Sequence, residues 1–134
     1  MNANRQWPLS ISRNVLASLA NIEIAVGGWP NNRAQLLRVA LFPDTSVITT
    51  ADNGYIVHLV NKGTAGTAST TLATFTSSTA AGTLAAYVPI SLTMSTTASL
   101  IVAEDAVLTW KQTTVGANPN TVAAGVVRIE YTLF

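Results

Sequence analysis

One histidine, six carboxylates, seven cations and three tryptophans are the groups this chain offers for chemistry or anchoring, in 134 residues without a cysteine. His58 lies between Val57 and Leu59 in a run that reads as a strand. A serine-hydrolase triad needs such a histidine within reach of a serine and oriented by a carboxylate. Asp52 stands in the preceding turn, but no Gly-x-Ser-x-Gly elbow occurs. His58 is therefore expected to be a strand or interface residue. The carboxylates are Glu23, Asp44, Asp52, Glu104, Asp105 and Glu130. Hydrolysis by a carboxylate pair needs two of them facing each other across a cleft. Only Glu104 and Asp105 are adjacent, and they read as the turn before the run Ala106 to Lys111. Asp52-Asn53-Gly54 brings too few oxygens for calcium. In Lys62-Gly63-Thr64-Ala65-Gly66-Thr67 the lysine precedes the glycines, whereas a phosphate loop needs Gly-Lys-Ser/Thr opening a helix. That stretch is expected to connect strands. Without cysteine there is no disulfide and no thiolate metal site. The sequence predicts no catalytic residue, no cofactor and no metal, and so a non-enzymatic protein.

What remains is anchoring. Trp110 shares strand parity with Leu108 and is expected in the core. Trp29 follows Gly27-Gly28 and precedes Pro30-Asn31-Asn32, which places it in a loop; Trp7 stands beside Pro8 near the amino end. Exposed tryptophan anchors protein interfaces and sugar platforms. Arg5, Trp7, Arg13 and Trp29 are accordingly the candidate partner-contact residues. The field of the whole chain is weak: charged residues make up 10% and the net charge is +1. A protein that makes ~6–10 phosphate contacts would need nearly all of Arg5, Arg13, Arg33, Arg38, Lys62, Lys111 and Arg128 on one face. These are scattered, so no nucleic-acid partner is expected. No stretch approaches the ~20 apolar residues of a membrane helix, and the amino end lacks a signal-peptide core, so no membrane partner is expected either. At 49% hydrophobic the chain is too apolar for a disordered segment. So few charges on so apolar a chain point to an oligomer or a component of an assembly.

The elements that must carry these residues show a period of two. Ile22, Ile24 and Val26 alternate with Glu23 and Ala25; Leu37, Val39 and Leu41 with Arg38 and Ala40. Val88, Ile90, Leu92 and Met94 alternate with Pro89, Ser91 and Thr93, and Val127, Ile129, Tyr131 and Leu133 with Arg128, Glu130 and Thr132. Such alternation sets an apolar face against a wetter one, as in antiparallel strands packed on one side. Tyr55 to Val60 is apolar on both faces, which suits burial between two sheets or at a subunit interface. Gly, Pro, Asn and Asp clusters separate the runs. The expectation is an all-β fold: an antiparallel two-sheet sandwich, jelly-roll-like, of about eight strands. Residues 1–19 are expected to be an N-terminal arm that ends in a strand, residues 20–134 the sandwich domain, and Ser77 to Leu84 a loop.

From Leu36 the chain runs LLRVALFPDTSVITTADNGYIVHLVNKGTAGTASTTLATFTS, then AAYVPISLTMS, then LIVAEDAVLTWKQTTVGA, and closes on VVRIEYTLF. In the order of its Pro-Asp turn, Asn-Lys-Gly-Thr-Ala-Gly-Thr connection, Val-Pro strand and Val-Ala-Glu-Asp-Ala-Val-Leu-Thr-Trp strand, it resembles the capsid decoration (cement) proteins of tailed bacteriophages. The resemblance covers residues 34 to 134. Where that family often carries glycine, this chain has Ala106. The resemblance implies a jelly-roll or related sandwich, frequently a homotrimer, bound to the major capsid protein on the outer surface of the virion. The function expected is to cement neighbouring capsomers. The alternative is a receptor- or carbohydrate-binding module of a phage tail or fibre, with Trp29 as stacking platform and Asn31 and Asn32 as its hydrogen-bonding partners.

Overall fold

In a computed structural model of the chain, residues 9–15, 21–49, 54–77, 82–116 and 124–133 are described. They are all-β, in twelve strand segments: β1 (Leu9–Val15), β2 (Ile22–Gly28), β3 (Ala34–Pro43), β4 (Val47–Thr49), β5 (Gly54–Asn61), β6 (Thr70–Thr76), β7 (Gly82–Leu84), β8 (Ile90–Ser91), β9 (Thr93–Met94), β10 (Ile101–Val102), β11 (Val107–Val115) and β12 (Gly125–Leu133). Seven have seven or more residues; the other five have only two or three, too short to leave a period of their own in the sequence.

Every pairing is antiparallel. The first sheet has the order β1-β12-β3-β10, with β8 also paired to β3; the second has the order β2-β11-β5-β6-β9; β4 and β7 form a two-stranded pair. Apolar residues from both large sheets make one core, among them Leu36, Val39 and Ile129 from the first and Val57, Leu59 and Trp110 from the second. That arrangement is compatible with a sandwich. Thr and Val, abundant along these strands, fit a pleated half-buried surface.

Three bulges re-aim the alternation. Glu130 opposes Arg38 while Tyr131 opposes Leu36, so Leu37 is an extra residue in β3. An extra residue bends its strand and leaves itself unpaired. Leu36 is therefore buried and Leu37 is 43% exposed, which corrects the expectation that Leu37, Val39 and Leu41 share the apolar face. Leu108 opposes Gly27 and Thr109 opposes Ala25, which makes Val26 the extra residue of β2. Between β5 and β6 the extra residue is Leu72, and there Leu59, Val60, Leu72 and Ala73 are all buried. In β5, Tyr55, Val57 and Leu59 face the core, whereas Ile56 and His58 are half-buried on the opposite face.

The continuous strand expected over Val88 to Met94 is divided. Ser91 opposes Ala40 of the first sheet and Thr93 opposes Thr74 of the second, so the chain changes sheets at Leu92, which is buried. Apolar spacing is the same whether one strand serves one sheet or two halves serve two. The Ser77 to Leu84 stretch, expected as a loop, contains β7, which pairs with β4. Ser77 is buried, and its Oγ accepts the Tyr55 N–H at 2.8 Å. Of the expected arm 1–19, Leu9–Val15 is β1, paired residue for residue with Tyr131–Gly125 of β12.

Two of the expected turns, at residues 63–66 and 104–105, follow the expected chemistry, whereas Gly27, Gly28 and Gly82 lie within strands. The β5–β6 connection holds Gly63 and Gly66 at φ +68° and +72°, a left-handed conformation that glycine adopts without steric cost. Asn61 Oδ1 accepts the Gly63 N–H at 2.8 Å. Before β11 it is Asp105, with φ +60°, that takes the left-handed position, and its N–H donates to the Trp29 carbonyl at 3.1 Å. Aspartate tolerates that conformation better than most residues, so the turn does not require glycine at position 106, where Ala106 is buried.

Candidate functional site

The predicted contact residues do not converge. Arg5 and Trp7 lie outside the described residues. Arg13 is exposed on β1, opposite Val127. Val127 faces the core, so Arg13 carries its charge on the core-side parity of a sheet edge. That placement blunts edge-to-edge pairing. Trp29 is in the loop after β2, as expected, but only 6% of it is exposed. Its indole packs against the Tyr131 ring with centroids 4.6 Å apart and planes tilted by 57°, within the favourable range for an aromatic pair. Asn31 and Asn32 beside it are exposed.

The outer face of the second sheet brings four ionisable groups together: Glu23, His58, Lys62 and Lys111. One register row runs Glu23–Lys111–His58–Thr74–Thr93 across β2, β11, β5, β6 and β9. Thr109 Oγ1 donates to Glu23 Oε1 at 2.6 Å, and Lys62 Nζ lies 3.5 Å from the same oxygen. The Thr109 hydrogen bond, ahead of Lys62 and Lys111, holds the Glu23 carboxyl below its ordinary range although desolvation opposes it. His58 Nδ1 shares a 3.0 Å hydrogen bond with Thr74 Oγ1. Burial, and then the neighbouring Lys111 charge, lower the His58 pKa. Among the described residues no three His, Asp or Glu side chains come together as metal ligands would. Beside this row an open groove of about 410 Å³ lies along β6, β9 and Ser95–Thr97, lined mostly by threonine and serine residues such as Thr71, Thr74 and Thr93 together with Ala73 and Met94.

The lowered His58 pKa has a sign that can be tested. Folding disfavours the imidazolium, so the stability His58 contributes is complete above the unfolded value near 6.5. It is lost as the pH falls from there through the lower folded value. The His58 ring signals in an NMR titration are expected to shift with a midpoint below 6.5. A Lys111→Ala variant should move that midpoint up, and no upward movement would remove Lys111 as a cause.

The most exposed large apolar residues lie elsewhere. Ile48 is 70% exposed, Tyr87 78% and Val88 54%. They stand on one lobe, formed where β4 and the stretch before it run beside β7 and the stretch after it. Val47 opposes Leu84 at the base of the lobe, and both pack on the core. Tyr87 N–H donates to the Pro43 carbonyl at 2.8 Å, and Ala86 N–H to Ser46 Oγ at 2.9 Å. Tyr87 has φ +62°, a conformation uncommon for any residue but glycine and rarer still for a bulky one. Sequence reading misses this lobe because Tyr87 closes a run of mostly small residues broken only by Leu84, and Val88 and Ile48 have ordinary strand spacing. Comparison of the chain with protein-family models, with curated proteins and with solved structures gives no match.

Proposed function

We propose that this chain is a non-enzymatic structural protein that binds the major capsid protein on the outer surface of a bacteriophage virion and cements neighbouring capsomers. The observation that carries the reading is strand order. The first strand lies beside the last and the last beside the third; the second lies beside the penultimate one, and that beside β5 and then β6. Ends paired in this way, like a long hairpin rolled up, support the jelly-roll reading, an architecture that recurs in viral shell and lectin domains. The resemblance of residues 34–134 to capsid decoration proteins implies the same fold. Few charges and several exposed apolar side chains suit a protein that works against other protein. A homotrimer would multiply weak contacts, with avidity gains of ~10²–10⁴. Among the described residues the carbohydrate-binding alternative has no exposed indole, because Trp29 is buried against Tyr131 and Trp110 lies in the core.

The test is the copy number of the chain in purified particles of the virus that encodes it, relative to the major capsid protein, by quantitative mass spectrometry. The expected result is a ratio of the same order as the capsid protein. A handful of copies per particle would instead favour a tail or fibre component.

A further inference from the structure

We infer that the lobe carrying Ile48, Tyr87 and Val88 is the face that docks on the capsid surface, with the Tyr87 ring as its anchor. The inference rests on the capsid-binding reading and names the surface that performs it.

Tyr87 is held in a left-handed backbone conformation by the Pro43 carbonyl and yet leaves its ring almost wholly in water. Backbone strain at an exposed aromatic gains nothing for the isolated chain, and such strain concentrates at ligand-contacting positions. Within residues 43–49 and 82–91 the only formal charge is Asp44, and Arg38 reaches these segments at their far edge, where it donates to Ser91 Oγ at 2.9 Å. Interface cores are depleted of charge and enriched in aromatic residues in the same way.

Area and placement identify the occupant. The three side chains expose on the order of 400 Å², against the ~800 Å² per partner of a stable pairwise interface. A second copy docked through this lobe alone would not stay. The remaining exposed large apolar residues, Leu9, Leu37, Ile101 and Val107, lie at the other end of the core. There Leu9 opposes Tyr131 and Val107 opposes Gly28, whereas Pro43 at the lobe end opposes Gly125. The ten residues of β3 separate the two ends by about 30 Å. A partner that meets both ends must be an extended surface, and one that repeats lets many weak contacts act together. A protein shell has those properties, and its side of the lobe contact is an apolar, uncharged depression that receives a tyrosine ring.

The experiment uses virus particles that lack the chain, to which purified full-length chain is added back and the bound copies are counted across a concentration series. Tyr87→Ser is expected to weaken binding at least about tenfold, as truncation of an aromatic hot spot does, and Tyr87→Phe to restore it. Arg128→Ala, a change on the outer face of β12, is expected to bind within about twofold of the unchanged chain. Circular dichroism melts establish that each variant is folded. Tyr87→Ser that binds as the unchanged chain does overturns the lobe and leaves the capsid reading standing; unchanged chain that fails to bind overturns both. If sedimentation shows Tyr87→Ser turning a self-associated chain into a monomer, the occupant is a second copy and the inference fails.

Discussion

Trp110→Ala is expected to lower the unfolding free energy by about 3–5 kcal/mol, the upper end being favoured by what the indole does besides filling space. Trp110 is 0% exposed in β11, which lies between β2 and β5. Its Nε1–H donates to Gln112 Oε1 at 2.9 Å, two residues along on the same inward face. Gln112 is itself fully buried, and its Nε2 has no partner among the described residues. Truncating the indole therefore opens a cavity and orphans the rest of the amide, and a buried polar group left unpaired costs about 1–3 kcal/mol. A small domain with a total stability of ~5–15 kcal/mol can lose much of it in that one step. Urea denaturation measures the loss. The two contributions separate in a second pair of variants. Trp110→Phe keeps most of the volume but orphans Gln112, whereas Trp110→Phe with Gln112→Met removes both ends of the bond together. The double variant is expected to be the more stable of the two. If it is not, the indole–amide bond is not what makes this position costly to change.

The same residues show how far periodicity reaches. Trp110, Leu108, Val127 and Ile129 are buried as their strand parity predicts, because the extra residues of the neighbouring bulges, Val26 and Leu37, lie on the partner strands and leave the alternation of β11 and β12 intact. Periodicity misplaces Leu37 and the strand Val88 to Met94 for a common reason. An inserted residue, or a jump from one sheet to the other, changes which face a side chain meets without changing the composition around it. The small strands β4, β7 and β10 are set by partners dozens of residues away in the chain, so no local signal could show them. Trp29 illustrates a different limit. Its loop position was legible, but its burial depends on Tyr131, about a hundred residues further on. For the docking surface the situation is reversed. Tyr87 is conspicuous only once its backbone angle and exposure are known, and neither can be read from Ala-Ala-Tyr-Val-Pro.

The largest effect expected from the smallest change is at Gly125. This glycine opens β12 between Val15 of β1 and Pro43 of β3. A methyl group there would run into the Phe42 carbonyl oxygen, with Phe42 C and Pro43 Cα each only 3.0 Å away. All three are backbone atoms, so no side chain can swing aside and β3 and β12 must part. Gly125→Ala is expected to cost at least about 3 kcal/mol, beyond the usual overpacking penalty, since ladder hydrogen bonds are lost with the close approach. Gly27→Ala is the control. Its added methyl would meet the Ile11 Cδ1 atom at 2.5 Å, the far end of a flexible side chain that can rotate away, and the change is expected to stay within about 1 kcal/mol. Equal urea midpoints for the two variants would overturn the close approach of β12 to β3 as the source of the cost. The consequence extends to the lobe, because the Pro43 carbonyl accepts the Tyr87 N–H and the Ala124 carbonyl accepts the Asp44 N–H. Parting the strands at Gly125 pulls on both bonds. The NMR signals of the Tyr87 amide should therefore move in Gly125→Ala and hold still in Gly27→Ala. That pattern would tie the presentation of the ring to the point where the first, third and last strands come closest.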